Sequence, residues 1–200
     1  MKKLAISIVF TSLAANLLSA NTSGFYGGVS LGKSKTDLYT TVQSGASIDE
    51  KGTSYGAFLG YNINKYFATE LNYNKFANAD LNFNAGGQFT VDGYTFNPTV
   101  DGKTEVDVQS LGLSIIAKYP LHDYVIPYAK IGIQRYEHES KTSTSIATVK
   151  TNTKDSDKYY GYGMESNISS NFSTRISYEK FSMDEETDVE NYALSLIYKF

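Results

Sequence analysis

Apolar and aromatic side chains fall on every second residue in eight separate stretches of this chain. A period of two places them on one face of an extended strand and leaves the intervening residues on the other. The stretches are 24–34, 54–63, 66–76, 106–119, 124–136, 158–168, 172–181 and 190–200. In the second, Tyr55, Ala57, Leu59 and Tyr61 oppose Gly56, Gly60 and Asn62; in the fourth, Leu111, Leu113, Ile115 and Ala117 oppose Ser110, Gly112 and Ser114. The apolar faces carry almost no charge, and the opposite faces are mostly Gly, Ser and Asn with a few isolated ions. A soluble sandwich does the reverse, burying its large residues and turning long charged side chains outward. The pattern here suits strands whose apolar face meets lipid and whose small polar face lines a crowded lumen.

The gaps alternate in length. Those after the second, fourth and sixth stretches are tight turns; those after the others span 35–53, 77–105, 137–157 and 182–189. Short turns on one side and long polar loops on the other match the periplasmic and extracellular ends of a membrane barrel. The expected fold is therefore all-β: a closed, eight-stranded, antiparallel transmembrane β-barrel with up-and-down meander order. Pro127 cannot donate to a ladder and is expected near a strand start.

Composition alone misleads. The 17 Tyr and 11 Phe of the 200 residues sit in a chain whose mean hydropathy is only −0.31, the value of a soluble protein. Zero Cys excludes a disulfide framework and a thiolate zinc site. A net charge of −3 gives no basic surface for nucleic acid, and no cofactor-binding motif is present. Residues 1–20 read as a secretory signal peptide: Lys2 and Lys3, an apolar run over 4–18, then Ser19-Ala20. That run is short of the roughly 20 residues of a spanning helix. Residues 21–200 are then expected to form one barrel domain, exported to the outer membrane of a Gram-negative bacterium.

Several stretches resemble the small eight-stranded outer-membrane β-barrel family typified by the barrel of outer-membrane protein A. They are Gly24-Phe-Tyr-Gly-Gly-Val-Ser-Leu-Gly, Gly56-Ala-Phe-Leu-Gly-Tyr with Thr69-Glu-Leu-Asn-Tyr, Pro127-Tyr-Ala-Lys-Ile-Gly, and Tyr160-Gly-Tyr-Gly-Met-Glu with Arg175-Ile-Ser-Tyr. The resemblance is to the barrel alone, without the periplasmic domain. The end of the chain, with Tyr192, Leu194, Leu196, Tyr198 and Phe200 alternating, looks like the signal that the family's assembly machinery reads. The resemblance implies a role in envelope integrity and adhesin-like surface contact through the long loops, with host or phage ligands. Outer-membrane lipid and lipopolysaccharide are the other expected partners.

Parity turns Glu70, Lys118, Lys130, Glu165, Arg175, Glu179 and Lys199 into the lumen. Lone ions are costly in a narrow interior, so they are expected to pair and plug the barrel. In the family, similar cross-lumen pairs are proposed to gate a small conductance, which makes a narrow ion or solute channel the alternative function. Lipid-facing Tyr61, Tyr66, Phe67, Tyr119, Phe172, Tyr198 and Phe200 are expected to form the periplasmic aromatic girdle. Asp184, Glu185, Glu186 and Asp188 read as a solvated acidic loop, with divalent-cation binding as the rival reading. His138-Glu139-Ser140 places a base near a hydroxyl, as in barrel enzymes that deacylate lipid A, but its surroundings do not resemble that family. The chain is expected not to be an enzyme, and to need no cofactor or metal.

Overall fold

The computed structural model describes residues 23–37, 40–91, 93–183 and 187–200. The expected signal peptide, residues 1–20, lies outside the described residues. Thirteen strands form among those described: β1 (Gly24–Asp37), β2 (Thr40–Val42), β3 (Ala46–Asp49), β4 (Lys51–Asn62), β5 (Phe67–Lys75), β6 (Ala79–Phe83), β7 (Phe89–Val91), β8 (Tyr94–Phe96), β9 (Gly102–Lys118), β10 (Ile126–Thr144), β11 (Thr148–Asn167), β12 (Phe172–Ser182) and β13 (Asp188–Lys199). Eight of them, in the order β10-β11-β12-β13-β1-β4-β5-β9, close on themselves through a β9–β10 ladder. Every ladder is antiparallel, including the seam that joins the first and last strands from Tyr26↔Lys199 to Asp37↔Asp188. Closure leaves no free sheet edge within the barrel wall, so backbone polar groups are satisfied where water is excluded.

The short turns have local causes. Between β4 and β5, Asn64 Oδ1 accepts from the backbone N–H of Tyr66 (2.7 Å) and Phe67 (2.9 Å). Between β11 and β12, Ser169 Oγ accepts from the Phe172 N–H at 3.1 Å. Pro127 sits one residue inside β10, where its carbonyl still accepts from Tyr119 N–H at 2.9 Å.

Outward positions are exposed and apolar: Val29, Leu31, Leu59, Leu113, Ile131, Ile133, Ile176 and Leu194 among them. The aromatics expected at the short-turn end do lie on this outer face. A second set, Tyr55, Tyr73, Tyr160, Tyr162, Tyr178 and Tyr192, rings the other end of the apolar band, with Tyr178 packed 4.9 Å from Tyr192 and 5.3 Å from Tyr162. Two girdles thus bracket the lipid-facing surface.

The four long gaps are not simply loops. The gap at 137–157 is mostly strand: β10 and β11 pair without interruption from Ile126↔Glu165 to Ser143↔Thr148. Hydropathy could not reveal this, because the extension is Thr, Ser, Lys and acids on both faces. The gap at 77–105 contributes β6, which takes over from β5 as the partner of β9: β5 ends at Lys75↔Gln109, and β6 resumes at Ala79↔Val106, one residue out of step. In the gap at 35–53, β3 pairs with β6. The strands β3, β6, β9, β10 and β11 therefore rise as an open sheet above one side of the barrel, while β12 and β13 stop soon after the wall ends. A small sheet, β2-β7-β8, caps it, with turns at Gly45 and Gly93 whose φ of 73° and 77° favours glycine. Leu81, Phe83 and Phe89 form its separate apolar cluster.

Candidate functional site

The interior of the barrel holds all seven charged residues that parity places there, in one connected set. Arg175, on β12, donates from Nη1 to Glu70 Oε2 (2.7 Å) and from Nη2 to Glu165 Oε2 (3.2 Å). Lys130 pairs with Glu179 and stands 3.6 Å from Glu70 Oε1. Lys118 lies 3.0 Å from Glu165 Oε2 and Lys199 3.6 Å from Oε1. Asn62 and Asn167 take further bonds from Lys118 (3.1 Å) and Lys199 (2.5 Å). The two pairs closest to the centre, Arg175–Glu70 and Lys130–Glu179, are almost wholly buried.

Register explains the convergence. Glu165 stands opposite Arg175, Gly161 opposite both Glu179 and Lys130, and Gly60 opposite Glu70. Glycine beside Glu70, Lys130 and Glu179 leaves room for their side chains to cross the lumen. The same device admits rings. A Cβ at Gly60 would run into the Tyr26 ring, and one at Gly132 would meet Tyr159 Cε1 at 2.6 Å.

Parity puts Tyr128 on the lumen face with Lys130 and Gln134, and it is joined there by rings that the alternation did not assign. Tyr26, Phe58, Tyr128, Tyr136, Tyr159, Phe76 and Phe181 are buried inward. Phe58, Tyr128 and Tyr26 surround the Arg175 guanidinium at 5.1, 5.0 and 5.9 Å, a cation–π enclosure that offsets lost hydration. Tyr26 OH also donates to Glu70 Oε2 at 3.1 Å. Above the ions, Phe76, Val108, Tyr159, Phe181, Met183 and Val189 form an apolar plug, with Tyr159 stacked on Phe181 at 4.9 Å. Ile116 and Ile197 are also inward and fully buried. Their alternation had no visible signal, because both neighbours of each are apolar as well.

Space within the lumen follows. The enclosed gap among Ser30, Phe58, Glu70, Lys130, Arg175 and Asn191 is about 10 Å³, about the size of a single water probe. Beneath it, at the short-turn mouth, a vestibule of about 840 Å³ is lined by Lys118, Glu165, Lys199, Asn62 and Asn167. Its Glu165 is the residue that joins it to Arg175.

The remaining expected sites are dispersed. Tyr192, Leu194, Leu196, Tyr198 and Phe200 all face outward. Asp184, Glu185 and Glu186 lie outside the described residues, whereas Asp188 opens β13 and pairs with Lys180 at 2.7 Å. His138 and Ser140 are not beyond a strand end but inside β10. Their parity is that of the lumen, so they do not face lipid.

Similarity to known proteins agrees with this geometry. Ail, the attachment invasion locus protein of Yersinia pestis, was solved in complex with the heparin analogue sucrose octasulfate; it is 18% identical, with 88% of this chain and 99% of that one covered and a TM-score of 0.54. Neisserial surface protein A is 15% identical, covering 89% and 99%, with a TM-score of 0.53. The outer membrane protein OprG of Pseudomonas aeruginosa is 11% identical, covering 90% and 97%, with a TM-score of 0.55. At these identities the likeness is one of fold. No curated protein matches by sequence. The outer membrane protein beta-barrel domain family matches over residues 4–200, and this chain belongs to that family of outer-membrane barrels.

Proposed function

We propose that the protein is a closed, non-enzymatic barrel that stabilises the envelope and acts through its extracellular wall, as a contact surface for a ligand outside the cell. One contrast carries this reading: at the level of Glu70, Lys130 and Arg175 the lumen narrows to a gap of about 10 Å³, while β10 and β11 continue as an unbroken hairpin far beyond it. A plugged lumen is a poor conduit, and a rigid barrel is a good mount. The apolar alternation ending at Phe200 serves assembly, and the leader at residues 1–20 serves export.

The hairpin favours a polypeptide ligand. Among the described residues, β11 has β10 on one side from Thr148 to Lys158, and its ladder with β12 begins only at Tyr159. Its outer edge offers N–H and C=O groups to an added strand. A polysulfate such as the one bound by Ail is less suited, because lysines of the extension are matched by acids: Lys103 with Glu105 (2.9 Å), Lys154 with Glu137 (2.9 Å) and Lys150 with Glu139 (3.6 Å).

Two measurements test the proposal together. Replacing residues 142–149 by an Asn-Gly turn is expected to abolish adherence of expressing cells to host cells or phage, while the purified barrel still migrates faster unboiled than boiled. In planar bilayers neither the wild type nor Glu70→Gln is expected to give resolvable current steps. Steps whose size changes in Glu70→Gln would favour a gated channel, and unchanged adherence would remove the contact role.

A further inference from the structure

Below the apolar plug the lumen is not electrically neutral. Among the described residues it holds four cations, Lys118, Lys130, Arg175 and Lys199, against three carboxylates, Glu70, Glu165 and Glu179. Two of the cations are balanced at the centre, where Arg175 meets Glu70 at 2.7 Å and Lys130 pairs with Glu179. What remains is one carboxylate for two lysines: Lys118 stands 3.0 Å from Glu165 Oε2 and Lys199 3.6 Å from Oε1. Even that carboxylate is shared, since Arg175 reaches Oε2 at 3.2 Å. An uncompensated charge in a confined interior is unfavourable, so the excess calls for an anion.

The excess sits where an anion can reach it. Lys118, Glu165 and Lys199 all line the vestibule of about 840 Å³ that opens at the short turns. Lys118 is buried, whereas Lys199 keeps 27% of its side chain exposed. An ammonium group carries three N–H donors. Lys118 has Glu165 and Asn62 Oδ1 (3.1 Å) as acceptors, and Lys199 has Glu165 and Asn167 Oδ1, so each keeps a third N–H. The acceptors around them are already engaged, and Asn167 Oδ1 takes the Ser173 hydroxyl as well, at 2.8 Å. With both amide oxygens turned to lysine, Asn62 and Asn167 offer N–H to whatever enters. The rim adds no net charge, because Lys65 and Asp123 cancel. A neutral or cationic guest would leave these donors unmet.

We propose that the vestibule binds a small oxyanion from the periplasm, the carboxylate or phosphate group of a soluble molecule, seated between the ammonium groups of Lys118 and Lys199. Its oxygens accept the third N–H of each lysine and the amide N–H of Asn62 and Asn167, as charge-assisted bonds that suit an anion. One negative charge restores balance to the lumen. Above the site the lumen narrows to the gap of about 10 Å³ at Glu70, Lys130 and Arg175. The oxyanion is therefore held at a mouth and not passed through. The site lies at the opposite end of the barrel from the hairpin and is independent of its ligand.

The test follows backbone amide resonances of the protein in phosphatidylcholine nanodiscs while inorganic phosphate or acetate replaces chloride at constant ionic strength. Saturable shifts are expected at residues 118, 165, 167 and 199, and none at residue 146 on the hairpin tip. Lys199→Gln is expected to weaken the affinity roughly 10-fold, and Glu165→Gln, which frees donors of both lysines, to strengthen it by about as much. Heat-modifiable migration checks that both variants still form barrels, and a folding defect cannot move affinity in opposite directions. Shifts that never saturate would overturn the site. So would an affinity unchanged in Lys199→Gln or not raised in Glu165→Gln. An equal response to added chloride would make it a site for any anion and overturn the oxyanion assignment. The same shifts on replacing half the phosphatidylcholine with phosphatidylglycerol, with no phosphate or acetate added, would make a lipid phosphate the occupant and overturn the soluble ligand.

Discussion

Arg175 shows how one residue decides whether the interior can be polar at all. It satisfies Glu70 and shares Glu165 with Lys118 and Lys199, inside three aromatic rings. Removing one partner of a buried pair costs more than the pair contributes, because the other charge stays behind. Arg175→Met is therefore expected to lower barrel stability by about 3–5 kcal/mol, read from urea unfolding in lipid vesicles. Adding Glu70→Gln is expected to recover a large part of the loss, because Glu165 keeps its two lysines. A double variant no more stable than Arg175→Met would show that ring packing, not charge balance, sets the cost. Parity alone made these seven ions legible in the sequence. The enclosing rings were not, because an inward Tyr26 or Phe58 interrupts the polar face it belongs to, and only the glycines opposite betray the room made for them.

Among elements, the eight barrel strands were legible because lipid on one side and a polar lumen on the other enforce strict alternation. The extensions of β9, β10 and β11 were not, since both of their faces meet water and nothing selects a period. Pairing there rests on side-chain ties such as Thr104 to Thr142 (2.9 Å) and Glu137 to Asn152. Hydrogen bonds from Asn152 first, then from Lys154, hold the Glu137 carboxyl below its ordinary value; the bond from Lys103 does the same for Glu105. Both carboxylates stand beyond the upper tyrosine girdle, outside the membrane-spanning segments. A depressed folded-state value contributes stability that is complete above the unfolded value, near 4.3, and is lost as pH falls through the folded one. Amide exchange in 137–154 is thus expected to accelerate, after correction for intrinsic rates, as pH drops below about 4, while exchange in the membrane-spanning parts of β1, β5 and β13 stays slow. Uniform protection down to pH 3 would show that these carboxylates carry none of the extension's stability.

At the scale of the whole molecule, the wall is lopsided: strands stand high over β9, β10 and β11 and low over β12 and β13. This has a mechanical meaning. A pull on the hairpin tip at Ile146 travels down both strands, parallel to their axes. It meets the β9 ladder from Thr144↔Gly102 to Tyr128↔Lys118 and the β12 ladder from Tyr159↔Phe181 to Asn167↔Ser173. Loaded this way, the rungs are sheared together rather than opened one at a time, so the hairpin behaves as a mast stepped through the deck and not as a flap hinged to it. Force spectroscopy from residue 146, on protein held in a supported bilayer, is expected to show a single high-force rupture. A staircase of small early events would mean that the hairpin peels. A cell tethered through such a mast would transmit drag from flowing liquid directly into its envelope.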